Sequence, residues 1–482
     1  CALPISHTMK LLILTALLGA ALARPGCVKR DWRNTEVASW PAGEGYIQDE
    51  GRVMMQYMKD AKEKLSAAHR QCIEDGSCPM PDSRKAAGCV DGSADGYPCR
   101  NIDLSSFTNF VDLGTTSMAS GNDIWGWHDG DEDYAIMGCT TGSSFIRITD
   151  PENVEVLGFM PTHTSSSTWR DMKVVNDHAF IVSEASGHGM QVFDLTRLRG
   201  LSADSSRRFT ADAHYPGVGN SHNIASNPET NTVFIIGATR TGSGITTCSG
   251  GIHMIDVSDP KNPRFDGCYS SDGYSHDIEC VVYRGPDSRY TGREICWGYN
   301  ENTLTLVDIT DRSNPVQLSR TSYTGVRYTH QGWLSSDQRW ALLDDELDEQ
   351  YSTDKRTRTY IWDCEDLTNP RLVETFYHTS NSIDHNMYIY NRHNGDWVFQ
   401  SNYESGLRLL HFDLESGKLT EYGYFDVFPS RTTANFEGTW SNYPFDLTNG
   451  AVALTSINYG FFMVTPDWAA IDAEVAAAQA NC

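Results

Sequence analysis

The sequence predicts an all-β fold: a seven-bladed β-propeller with a small N-terminal helical, Cys-containing cap and a short C-terminal helix. Two repeats running in step predict it. A polar residue pair opens an apolar stretch seven times, at Asn122-Asp123, Arg170-Asp171, His222-Asn223, His276-Asp277, His330-Gln331, His385-Asn386 and Glu437-Gly438, with successive first residues 48, 52, 54, 54, 55 and 52 positions apart. A strand of alternating character ending in Asp recurs in step with it, at 145–150, 190–194, 252–256, 304–308, 360–363 and 407–413, often running into an Asp/Asn/Pro turn. About four short strands per period of roughly fifty residues is what a propeller blade needs.

The elements follow in chain order. Residues 9–23 have a basic start, an apolar core and a small-x-small end, so they read as a secretory leader cut after Ala23, and residues 1–8 read as non-native start. Residues 24–100 form an N-terminal extension. Within it, 45–69 is helical, with Met54, Met55, Tyr57, Met58 and Leu65 on one side, and a Cys/Gly/Pro loop follows. Residues 101–465 hold the propeller. Its last unit has strands at 438–444, 451–457 and 460–464 but lacks a fourth, and an extended segment at 107–113 precedes the first unit. A ring must close to hide its sheet edges, so that early segment is expected to complete the last blade. Residues 466–482 are an Ala-rich helical tail, with Cys482 as its anchor.

Several motifs carry a resemblance to a known family. The Asp-Pro-x-Asn-Pro turn after a strand, seen at 259–263, resembles the LVIVD repeat. The segments Cys89-Val90-Asp91-Gly92 to Tyr97-Pro98-Cys99, Trp169-Arg170-Asp171-Met172, Ala185-Ser186-Gly187-His188-Gly189-Met190, Thr329-His330-Gln331-Gly332-Trp333, Leu343-Asp344-Asp345-Glu346-Leu347-Asp348-Glu349 and Gln400-Ser401-Asn402-Tyr403 are similar, in order, to the choice-of-anchor B family of surface and secreted proteins. The resemblance spans residues 89–465. It implies the fold and an extracellular setting and assigns no catalytic residue.

Lys plus Arg number 38 against 63 Asp plus Glu, a net charge of -25, which argues against a nucleic-acid partner. No apolar run beyond the leader reaches the roughly 20 residues of a membrane span. Setting aside Cys1, twelve cysteines remain, and an even count in a secreted chain points to disulfides. Composition leaves the connectivity open. Near neighbours are the expected pairs: Cys72 with Cys78, Cys89 with Cys99, Cys248 with Cys268, and Cys280 with Cys296. Cys139 and Cys364 can equally be buried thiols. No asparagine heads a permitted N-glycosylation triplet.

The innermost strand of each blade lines the channel, so the recurring pair should form a ring. Four consecutive blades contribute His222, His276, His330 and His385, flanked by Asn122, Arg170 and Glu437. Imidazoles converging on one point would hold a divalent metal such as Zn; otherwise they staple the blade tops through hydrogen bonds. Asp123, Asp171, Asn223, Asp277, Gln331 and Asn386 are placed to orient the rings. Arg170 can receive a carboxylate or sulfate of a ligand, or pair with Asp171 or Glu437. The acidic runs 129–133 and 343–349 invite calcium. Neither completes the twelve-residue calcium loop, since Tyr134 and Thr140 stand where Gly and Glu belong in the first. Trp125, Trp127 and Trp169 are expected near the channel mouth, where they could stack on sugars.

No Gly-x-Ser-x-Gly, phosphate loop or His-Glu-x-x-His is present. The expectation is therefore a secreted binding or scaffold module for an extracellular protein or glycan. The alternative is a metal-dependent lyase or hydrolase of acidic polysaccharide using the histidine row.

Overall fold

The computed structural model describes residues 48–393, 395–445 and 447–480. The leader at 9–23, Cys27 and Cys482 lie outside them. Seven antiparallel sheets follow one another, and in each the consecutive strands pair as a meander, with strands from the N-terminal part of the chain added at the outer edges of the last two. The innermost strands are Gly121–Asp129, Arg170–Val175, Asn223–Asn227, Asp277–Val282, Thr329–Leu334, Met387–Arg392 and Thr439–Tyr443, and they number blades 1 to 7. Every one begins within two residues of the repeated polar pair.

Ring closure comes from the early strand, Ile102–Asn109, which pairs antiparallel with Gly460–Pro466 as the fourth strand of blade 7. It starts five residues before the expected 107–113. Phe110 and Leu113 lie past its end, buried in a turn. Two further short strands, Ser93–Ala94 and Tyr97–Arg100, extend the outer edge of blade 6. The Cys/Gly/Pro loop thus joins a sheet, and the Cys89–Cys99 bridge closes it.

All four expected disulfides are present: Cys72–Cys78, Cys89–Cys99, Cys248–Cys268 and Cys280–Cys296. Cys280 and Cys296 face each other across the first two strands of blade 4. Cys139 and Cys364 are buried free thiols. Four disulfides suit an extracellular or periplasmic setting. No helix among the described residues is long and apolar enough to cross a membrane.

Apolar side chains between adjacent sheets form the core, as in the cluster of Phe107, Trp397, Phe399, Leu409, Phe425 and Phe462 between blades 6 and 7. The helix α1 (Gln48–Glu74) lies across the end of the ring where the innermost strands begin. Its Met58 is buried among Trp169, Tyr328, Leu347, Ile383, Tyr403, Phe436 and Trp440, with Met54, Met55, Ala61 and Leu65 packed alongside. The C-terminal helix, Trp468–Ala480, packs at the outer side of blades 6 and 7, where Arg100 and Asn101 bond Glu474.

Candidate functional site

One strand and three loop ends bring the four histidines together under α1. His222 and His276 immediately precede their strands, His330 is the second residue of its strand, and His385 stands two ahead of its own. The rings form a continuous arc with centroids 4.4, 4.4 and 4.3 Å apart. None is more than 4% exposed.

Each Nδ1 is committed. His276 Nδ1 donates to the carbonyl of His330 at 2.8 Å, and His385 Nδ1 to that of Trp440 at 2.6 Å. A carbonyl can only accept, so both rings carry the proton on Nδ1 and present a bare lone pair at Nε2. His222 Nδ1 meets Glu184 at 2.6 Å and His330 Nδ1 meets Asp344 at 3.0 Å. Burial alone would raise the Glu184 carboxyl, but His222 and Lys59 hold it down to about 2, so it too accepts. Burial and the neighbouring imidazoles push His276 and His330 well below the ordinary imidazole range. Burial takes His385 down to about 3, against the pull of Glu346.

The Nε2 atoms turn toward Glu346, which lies 3.7 Å from His330 Nε2 and 3.8 Å from His385 Nε2. His222 Nε2 and His276 Nε2 stand 2.8 Å apart. Two lone pairs at that separation repel unless a proton lies between them; a tetrahedral ion bound by both would draw them slightly farther apart. One ligand atom each from His276, His330 and Glu346 lies within 4.8 Å of the other two. A tetrahedral ion with bonds of about 2.1 Å spaces its ligand atoms about 3.4 Å apart. The 3.7 Å between His330 Nε2 and Glu346 is close to that value, so His276, His330 and Glu346 form a donor set that fits a borderline metal of the zinc kind.

Lys62 of α1 completes the centre. Its ammonium is 2.8 Å from Glu346 and lies 4.8 to 6.0 Å over the rings of Trp440, Phe436, Tyr403 and Trp169. Tyr403 also donates to Glu346 at 2.5 Å. Burial would raise the Glu346 carboxyl, but Lys62, His385 and His276 pull it down to about 2. Lys62 and Glu184 escaped the sequence reading because they sit outside the repeat register.

The flanking residues do not join the arc. Arg170 is sealed inside, bonding the Cys139 carbonyl, His188 and Thr162 at 3.1, 3.1 and 2.7 Å, with no ion pair to Asp171 or Glu437. Asn122 donates to the Thr168 carbonyl. Glu437 pairs with Arg431 and receives Asn458.

The second residues of the pairs do not orient the rings either, because alternation along a strand turns them to another face. Most of them stitch blades together. Asp171 accepts from Ile224 N, Asn223 donates to the His276 carbonyl, Gln331 exchanges two bonds with Met387, and Asn386 donates to the Trp440 carbonyl. Asp123 and Asp277 each cap the amide of the residue that follows. Burial, with Asp171 adding, lifts Asp123 to about 7 and Asp277 well above the carboxylate range. In the 129–133 turn the carboxylates are already taken: Asp129 bonds Arg199, and Asp133 bonds His128 and Thr448.

At the opposite end of the axis is a cavity of about 380 Å³ lined by Trp125, Lys173, Asp277, Glu279, Gln331, Trp333 and Tyr388, among others. Trp125 and Trp333 pack edge-on to Tyr388 at 5.8 and 5.0 Å. Lys173 lies 4.5 Å over Trp125 and 2.8 Å from Asp171. Burial raises the Glu279 carboxyl to about 8. Trp127 is not at a mouth: it is buried and donates to Asp177. Trp169 lies beneath α1.

No family model matches the chain, and neither does any curated protein. Solved structures similar to it include a functionally unknown protein from Desulfotomaculum acetoxidans, at 12% identity over 65% of this chain and 89% of that one, TM-score 0.42. Others are the periplasmic gluconolactonase of Pseudomonas aeruginosa (11%, 68% and 85%, TM-score 0.43) and the COPII outer coat vertex on membranes (11%, 71% and 84%, TM-score 0.45). The pairing of the strands, not these partial superpositions, establishes the ring of seven.

Proposed function

We propose that this chain is a secreted propeller of the LVIVD-repeat, choice-of-anchor B kind that serves as an extracellular binding or scaffold module, with a closed metal centre at one end of its axis. The observation that carries the reading is closure. Structural metal sites fill their positions with protein ligands and catalytic ones keep a position open. Here the imidazole arc is buried, and α1 drives Lys62 onto the carboxylate that a substrate-activating ion would need. His222, His276, His330, His385 and Glu346 would hold a divalent ion such as Zn, which would tie blades 3 to 6 together. A polysaccharide lyase or hydrolase working at this centre is disfavoured, because a polymer has no way in while α1 is docked.

Ligand recognition falls instead to the opposite mouth. Its aromatic wall of Trp125 and Trp333 suits a sugar face, and Asp277, Glu279 and Gln331 supply hydrogen-bond partners. Lys173 adds a positive charge for an acidic sugar. A glycan array with the mature protein, repeated with Trp125→Ala, tests this. Selective binding lost in the variant is expected, whereas a blank array together with no protein captured from matrix extracts would defeat the binding role. Elemental analysis tests the metal separately: a stoichiometric transition metal lost in His330→Ala is expected, and no metal after reconstitution with ZnCl2 means that a proton bridges His222 and His276.

A further inference from the structure

The acidic run 343–349 is buried almost whole, and most of its charge is accounted for. Asp345 accepts from Tyr323, Arg327 N and Tyr328 N. Asp344 serves His330, and Glu346 serves Lys62. Asp348 and Glu349 remain, at the start of the short helix Asp348–Tyr351 in the loop between the second and third strands of blade 5. Facing them is Asp384, in the loop that leads from blade 5 into blade 6. Asp384 sits next to His385 yet belongs to neither sequence repeat.

One carboxylate oxygen from each of Asp348, Glu349 and Asp384 lies within 4.8 Å of the other two. All three residues are at most 2% exposed. Both oxygens of Asp384, together with Asp348 Oδ1 and Glu349 Oε2, have no hydrogen-bond partner. One guanidinium, Arg358, reaches Asp348 at 3.2 Å and is shared with Asp354. Three buried carboxylates set against one guanidinium leave two negative charges, and isolated buried carboxylates are strongly disfavoured. A bound calcium holds its oxygens at about 2.3–2.6 Å, so ligands on opposite sides of it are about 4.6–5.2 Å apart and adjacent ones nearer. Three oxygens within 4.8 Å of one another can all reach one ion in that shell. An all-oxygen donor set favours a hard cation over the borderline metal that suits the imidazole arc.

We infer that Asp348, Glu349 and Asp384 form a second, buried cation site, selective for calcium, which clamps the blade 5 loop to the start of blade 6. The site shares no ligand with the imidazole centre and does not rest on the glycan reading. Its rival is a cluster neutralised by protons, since Asp348 and Glu349 are close enough to share one.

The test refolds the disulfide-intact protein from urea in EGTA, in millimolar CaCl2 or in millimolar MgCl2, followed by desalting, elemental analysis and thermal melting. The expected result is one calcium per chain, a melting point several degrees higher with calcium than with EGTA, and little response to magnesium. Asp384→Asn and Glu349→Gln should each lose at least tenfold in calcium affinity and lose the calcium-dependent rise. Asp384→Asn should also melt higher than wild type in EGTA, because it removes an uncompensated charge, and its ZnCl2 uptake should be unchanged. A wild-type melt indifferent to calcium with no calcium retained would overturn the site and leave the shared proton in its place.

Discussion

Lys62→Met removes the ammonium that α1 places in the ring and keeps a side chain of similar length. Lys62 and Glu346 are 6% and 1% exposed, so solvent does not screen the pair. Removing one partner of a buried ion pair costs about 3–5 kcal/mol, and loss of the ammonium from its aromatic cage adds about 0.5–2 kcal/mol. Glu346 keeps the Tyr403 hydroxyl and two nearby imidazoles that can take up a proton, which sets the expected loss near the lower end, about 3 kcal/mol. Because α1 docks through this contact, the loss should appear as undocking before unfolding. Amide exchange in the α1 segment 54–69 should accelerate about 100-fold, with exchange in the blade strands unchanged. In a chelator, the cycle with Glu346→Gln should return a coupling of about 2 kcal/mol, the double variant being more stable than the single changes predict. Unchanged exchange in α1, or a coupling near zero, would refute the idea that Lys62 latches the helix.

Three other expectations follow from contacts away from the axis. Burial holds His253 near 4 instead of 6.5, so the folded state resists its protonation. Stability from this group is complete above about pH 6.5 and is lost as the pH falls toward about 4, by roughly 3 kcal/mol; the urea midpoint of His253→Gln should fall less than that of wild type over this window. Phe107 stacks on Phe462 at 4.5 Å in the strand that closes the ring, so Phe107→Ala should cost about 3–5 kcal/mol in equilibrium denaturation, and a cost under about 1 kcal/mol would contradict the closure. Replacing Cys280 and Cys296 together by Ala opens a link spanning 16 residues and should cost about 3 kcal/mol, read as a lower urea midpoint.

The repeat made the blades legible because the period of the polar pair is the period of the architecture, and strand alternation then fixes which residues face inward. It also placed the four imidazoles correctly as neighbours. What it could not supply was the identity of the groups that finish the site. Glu184 and Tyr403 come from loops and Lys62 from a helix with no register relation to the ring, so no spacing announces them. Asn122, Arg170 and Glu437 were misplaced for the converse reason. They share the register of the histidines, but their strand starts are drawn to local partners, Thr168, Cys139 with His188 and Thr162, and Arg431, before they can reach the axis.

The two ends of the axis answer one packing problem differently. Seven twisted sheets leave a channel that their own backbones cannot fill, and buried polar groups there are costly unless each is matched. At the α1 end the channel is filled with groups that match one another: imidazole to carboxylate or carbonyl, carboxylate to ammonium, ammonium to aromatic face. Such a centre gains rigidity and loses access. At the other end, aromatic rings line a wall and carboxyl groups stand above their ordinary range, with space beside them and Lys173 and Arg284 as the cations in the lining. A ligand offering a hydroxylated apolar face and a hydrogen-bond donor would relieve that mismatch, whereas the imidazole end, closed by α1, has room only for a proton or an ion. On the proposed reading, the recurrent histidines, the most conspicuous signal in the sequence, belong to the frame, and the recognition chemistry to the residues that face the opening.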